Sequence, residues 1–185
     1  DQPIFAKSEG KQWDSGGLYG NWVFPTENRY CMFYNGKENL EWPWHEQVGL
    51  AFSDDMLHWK RCGQNPVLPV SQNGWDCYFS CGQHVLYDSK RKQWVMFYCG
   101  YDGVHAQEGV AVSGDMLHWE KKKEPIIPNG PAGSLDEKHA HKPGVIWHEG
   151  VLYHYYCSVR PAYGKEKEIY GDEYRCITVA RSIPW

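Results

Sequence analysis

Ala51-Phe52-Ser53-Asp54-Asp55-Met56-Leu57-His58-Trp59-Lys60 and Ala111-Val112-Ser113-Gly114-Asp115-Met116-Leu117-His118-Trp119-Glu120 are near-copies sixty residues apart. A fixed period of that length marks a repeated structural unit. An ungapped stack outward from the copies aligns Trp13-Asp14-Ser15 with Trp75-Asp76-Cys77 and Leu135-Asp136-Glu137, so a third unit is present. Each unit opens on an acid. It continues into two apolar-aromatic runs: Asn21–Phe24 and Tyr30–Tyr34, then Gln83–Leu86 and Trp94–Tyr98, then Pro143–Ile146 and Leu152–Tyr156.

These runs are short, rich in β-branched and aromatic residues, and bounded by Gly, Asn, Asp and Pro, which is the grammar of strands joined by tight turns. Hairpin connections are expected at Pro25-Thr26-Glu27-Asn28, at Asp88-Ser89-Lys90-Arg91-Lys92 and at His148-Glu149-Gly150. A third strand ends at Ser53 or Ser113, and a fourth begins near Trp59 or Trp119. The expected fold is therefore all-β: a β-propeller of four-stranded antiparallel blades. About three blades fit the chain, with units over approximately 13–70, 75–130 and 135–185 forming one partial propeller domain across 1–185. Propellers close with about 4–8 blades, so the ring is expected to be completed by further blades of a longer chain or by a homo-oligomer.

Aromatic residues are the compositional outlier. Ten Trp and thirteen Tyr exceed what a core of this size needs, and flat apolar faces with polar edges suit sugar rings. Most of them also suit blade interfaces. A net charge of −4 and the absence of a phosphate-cradling glycine motif argue against nucleic acid, and no apolar run is long enough for a membrane span. Seven cysteines leave at least one thiol unpaired within the chain, and no Cys-x-x-Cys pair suggests a zinc site. Cys31, Cys99 and Cys157 fall inside aromatic strands as small buried hydrophobes. Cys77 and Cys81 would lie about 13 Å apart on one extended strand, beyond disulfide reach. The thiols leave the compartment open; an extracellular or periplasmic location is expected, and a cytoplasmic one is compatible.

In these features the chain resembles the five-bladed propeller glycoside hydrolase superfamily, which includes families 43, 32, 62, 117 and 130. The resemblance rests on the aromatic strand Met96-Phe97-Tyr98-Cys99-Gly100 and on Gly49 through Trp59 and Gly109 through Trp119, and it covers nearly the whole chain. It implies a glycosidase acting by acid/base hydrolysis on a poly- or oligosaccharide, with acids from successive blades converging on an axial funnel. It requires no cofactor, although a divalent ion such as calcium would suit the funnel. The chain departs from the pattern in one respect. Where an Asp-Pro is usual on the innermost strand, it carries Gly20-Asn21, Gly82-Gln83 and Lys142-Pro143. A non-catalytic carbohydrate-binding propeller is the alternative.

Glycosidic cleavage needs one carboxylic acid and one carboxylate. The acids at the blade entrances supply candidates: Asp14 as base, Asp76 as the residue that tunes a neighbour by like-charge repulsion, and Glu137 as general acid. Repetition also suits a structural role for Asp14, Asp76 and Asp136, because repeated acids often accept backbone or side-chain bonds at turns. Glu137 stands apart, since Ser15 and Cys77 occupy the matching places. His139 and His141, on one strand face and followed by Lys142, are expected to bind substrate hydroxyls or a carboxylate, or to share a metal with Glu137. Trp22 and His84 are expected either to line the pocket or to pack between blades, and His45 and His105 are expected in loops beside a sugar subsite. His58 and His118, inside the copied segments, read as blade architecture.

Overall fold

In the computed structural model, which describes residues 2–182, three antiparallel meanders follow one another along the chain. The first comprises β1 (Gly17–Pro25), β2 (Tyr30–Lys37), β3 (Glu46–Ser53) and β4 (Lys60–Arg61). The second comprises β5 (Phe79–Asp88), β6 (Gln93–Tyr101), β7 (Ala106–Ser113) and β8 (Glu120–Lys121). The third holds β9 (His139–His148), β10 (Val151–Pro161), the short helix α1 (Glu166–Tyr170) and β11 (Glu173–Arg181). Single parallel bridges, Glu46 to Phe79 and Ala106 to His139, join consecutive meanders at the end where each first strand starts. This is the expected all-β, partial propeller; the end of the third unit, at 183–185, lies outside the described residues.

Turn chemistry fixes the strand ends. Thr26 donates its backbone N–H and its hydroxyl to the Arg29 carbonyl at 2.8 and 2.7 Å, closing the first hairpin. The Asp88 carboxylate accepts from the Lys90 and Arg91 amides in the second. Glu149 and Gly150, both at positive φ, form a two-residue hairpin in the third. The copied decapeptides are the links between third and fourth strands. In the first, the Ser53 hydroxyl accepts from the Met56 amide at 2.9 Å, Asp55 accepts from the Leu57 and His58 amides at 2.9 and 2.8 Å, and the Trp59 indole donates to the Met56 carbonyl at 2.9 Å. Ser113, Asp115, Met116, His118 and Trp119 repeat the same bonds. His58 and His118 each meet their aspartate through Nδ1, at 2.6 and 2.8 Å, so both belong to the turn.

The Trp-Asp pairs serve packing and strand tying. Trp13 lies flat on Gly36 and Gly49, where an added Cβ would fall within 2.7 Å of the indole. Trp75 covers Gly100 and Gly109 in the same way. The neighbouring acids reach across their own blade to the second and fourth strands, as described below.

One face of each blade packs on the opposite face of the next. Between the first two blades the contact is apolar: Phe33, Val48 and Leu50 meet Val85, Met96, Tyr98 and Ala111. Between the second and third blades the equivalent of Val48 is Glu108 and the equivalent of Met96 is His154, and these two meet at 3.6 Å. Glu108 is 0% exposed and His154 4%. Neither Glu108 oxygen nor the His154 Nε2 has a hydrogen-bond partner among the described residues. Burial, with the nearby Cys99, pushes the Glu108 carboxyl well above the usual range. Burial, with His84, brings His154 down to about 4. The outer face of the third blade leaves Tyr155, Ile177 and Val179 exposed.

Candidate active site

The first strands of the three blades share a bulge. Gly20, Gly82 and Lys142 sit at φ 52°, 64° and 63°, each where the pairing register shifts. Glycine adopts that conformation freely; lysine does so at a cost of about 1–2 kcal/mol. The residue before each bulge is Tyr19, Cys81 or His141, and these open two adjoining clusters at the end of the blades where the strands begin.

The first cluster lies between blades one and two. The Glu46 carboxylate, at the start of β3, accepts from the Trp44 indole at 3.0 Å. Burial, then the adjacent Cys81 and Glu46, hold the Tyr19 phenol far above its ordinary value. Cys81 and Cys99 are cross-strand partners, both buried. The Cys81 thiol is held well above its usual range by Cys99, by burial and by Glu46, so it is not a thiolate.

The second cluster lies between blades two and three. Glu173, at the start of β11, pairs with Lys138 and Arg175, and these cations, Lys138 foremost, hold it below the usual carboxylate range. His139 Nδ1 accepts from the Ala106 amide at 3.0 Å, and its Nε2 lies 4.0 Å from Glu173. His141 stands 6.0 Å from His139, ring to ring, with its own Nε2 buried and without a hydrogen-bond partner among the described residues. Burial brings both imidazoles down to about 4, with Lys142 adding to the effect on His141. Both are therefore neutral near pH 7 and able to accept or donate a hydrogen bond. Tyr101 joins the clusters, packing on Phe79 at 5.0 Å and edge-on to His139 at 6.2 Å. Among the described residues no group of three or more His, Cys, Asp or Glu is arranged to hold a metal ion.

The acids singled out from sequence are placed differently. Asp14 is fully buried and accepts from the Arg61 guanidinium at 2.9 Å and the Tyr34 hydroxyl at 3.3 Å. Asp76, 3% exposed, accepts from Lys121 at 2.6 Å, Tyr98 at 3.1 Å and Ser80 at 3.2 Å. Asp136 meets Tyr156 at 2.9 Å. Asp14 and Asp76, expected as base and modulator, each tie the second strand to the fourth and are buried in doing so. Glu137 reaches the rim, accepting from the Gly133 amide at 2.8 Å and the Tyr163 hydroxyl at 3.1 Å.

The imidazoles of His84 and His105 bond across blades, whereas that of His45 stays within its own loop. The Trp22 indole packs at a tilt against His84 at 3.9 Å and donates to the Val85 carbonyl at 3.0 Å, while His84 Nδ1 accepts from the Val145 amide at 3.3 Å. The pair spaces three consecutive inner strands, which is the packing alternative for both residues. His45 is held by Glu38 at 3.0 Å, and His105 Nδ1 meets the Lys138 carbonyl at 3.0 Å. Sequence reasoning missed Glu46 and Glu173. Glu46 was legible by the criterion that marked Glu137, an acid without a counterpart, because the matching residue is Ala106. Glu173 follows an irregular segment outside the repeat and carried no such mark.

A partial propeller with an ionisable mouth defines the class. The chain belongs to the family described as glycosyl hydrolases family 32 N-terminal domain, whose model matches residues 11–170. Its structure is similar to that of BT0996 in a complex with RGII, at 29% identity and a TM-score of 0.77, with 100% of this chain and 51% of the other protein covered. It is also similar to a glycoside hydrolase at 28% identity and a TM-score of 0.78, covering 100% and 52%. The Bombyx mori GH32 beta-fructofuranosidase BmSUC1 shares the fold at 15% identity and a TM-score of 0.66, covering 89% and 34%. The chain thus spans about half the length of the first two structures. No curated protein sequence matches it. No helix among the described residues is long and apolar enough to cross a membrane. The family and the fold together make this a partial propeller of a glycosyl hydrolase family.

Proposed function

We propose that the protein hydrolyses glycosidic bonds of a poly- or oligosaccharide at the mouth formed where the blade strands begin, with Glu46 and Glu173 as the carboxyl pair. The observation that carries this reading is their position: two acids from different blades open on one end of a glycosyl hydrolase family fold. Glu173, kept ionised by Lys138 and Arg175, either activates water or attacks the anomeric carbon. Glu46, braced by Trp44, protonates the leaving oxygen. The neutral His139 and His141, with Lys142, hold substrate hydroxyls or a carboxylate, and Glu137 contributes from the rim. The exposed face of Tyr155, Ile177 and Val179 receives the next blade of the ring.

The second reading, a non-catalytic carbohydrate-binding propeller, draws on Gly20-Asn21, Gly82-Gln83 and Lys142-Pro143 standing where Asp-Pro is usual in the families the chain resembles. A panel of aryl glycosides separates the two. Hydrolysis that falls about 10²–10⁴-fold in Glu46→Gln and in Glu173→Gln supports the enzyme. Sugar binding without turnover, unchanged in both variants, supports the binding module.

A further inference from the structure

We infer that Trp42 is a stacking platform for a second sugar ring, next along the chain from the ring at Glu46; the inference rests on the carbohydrate reading above. The loop between β2 and β3, residues 38–45, is longer than its counterpart 102–105 in the second blade, and the difference carries Trp42-Pro43-Trp44. Trp42 is 51% exposed. It is nonetheless fixed from beneath, stacked on Tyr78 at 5.0 Å and 27° and flanked edge-on by Trp44 at 5.3 Å and Phe79 at 6.2 Å. One indole face is thus held against aromatic neighbours while much of the residue faces outward.

Its place relative to the acid identifies the occupant. Trp42 touches Trp44, and Trp44 donates to Glu46 at 3.0 Å, so the platform stands one indole away from the candidate proton donor. A cleft of about 670 Å³ beside it is lined by Lys7, Ser15, Glu38, Asn39 and Glu41 as well as Trp42. A sugar ring matches this combination, since its C–H face lies on an aromatic plane while its edge hydroxyls reach polar groups. A rigid, pre-stacked ring also loses little conformational entropy on binding.

The test is calorimetric titration of the full chain with arabino-, xylo-, galacto- and fructo-oligosaccharides of one to six units. Trp42→Gln and Trp42→Leu should weaken binding of the longer members about 3- to 10-fold and leave the monosaccharide unchanged, while Trp42→Phe retains most of the affinity. Leu keeps apolar volume without a flat face, so the Phe–Leu comparison stands even if the Gln variant does not fold. Equal loss for monosaccharide and oligosaccharide, or wild-type affinity for the longer members in all three variants, overturns the platform alone. If the wild type binds no member of the panel, the carbohydrate reading and the platform fall together.

Discussion

Replacing Glu108 and His154 by Val and Met should stabilise the protein, because it restores between blades two and three the apolar contact that Val48 and Met96 make between blades one and two. A buried polar pair replaced by apolar residues commonly gains about 1–4 kcal/mol. The pH dependence gives a sharper test. Glu108 has a raised carboxyl pKa in the folded state, so the stability it contributes is present below the unfolded carboxyl value and is lost as pH rises toward the folded one. His154 is depressed to about 4, so its contribution is present above the unfolded imidazole value and is lost as pH falls. Between the two unfolded values the slopes oppose each other and nearly cancel. Above pH ~6.5 only the Glu108 slope remains, about 1.4 kcal/mol per pH unit while the carboxyl keeps its proton. As pH rises above ~6.5 the parent should therefore lose stability that the double variant keeps. The groups facing the pair, Cys99 and His84, are unchanged in both proteins. Urea denaturation at a series of pH values measures the effect. The reasoning fails if the double variant is less stable than the parent at pH 8, or if the two curves run parallel from pH 6.5 to 8.

The remaining predictions concern the ties, the turns and the bulge. Asp76→Ala should cost about 3 kcal/mol in urea denaturation, because it removes the counter-charge of the half-buried Lys121 ammonium and leaves it only the Pro69 carbonyl and the Ser80 hydroxyl. His58 titrates above the usual imidazole range because of its bond to Asp55, so Asp55→Asn should bring it back down in an NMR titration; a shift in the opposite direction would contradict the turn geometry. Lys142→Gly should raise stability by about 1 kcal/mol by removing side-chain strain at φ 63°, while weakening the affinity for sugars measured by calorimetry.

The sequence alone determined the repeat, the strands and their turns, because those depend on neighbours a few residues apart. Thr26, Asp88, Gly150 and the Ser-Asp-Met-Leu-His-Trp links act within their own segments, and so their residue types reveal them. The family resemblance was legible for the same reason, since it rests on these blade motifs. The sign of each acid's role was not. Asp14 and Asp76 look available in the chain, yet Arg61 and Lys121, some forty-five residues later, come back across the blade to bury them. Glu46 and Glu173, far apart in the chain, come to the same end of their blades only because antiparallel meanders return the start of every third strand to the end where the first began. Local chemistry writes the strand, while burial and charge pairing between blades decide which carboxylates water and substrate can reach.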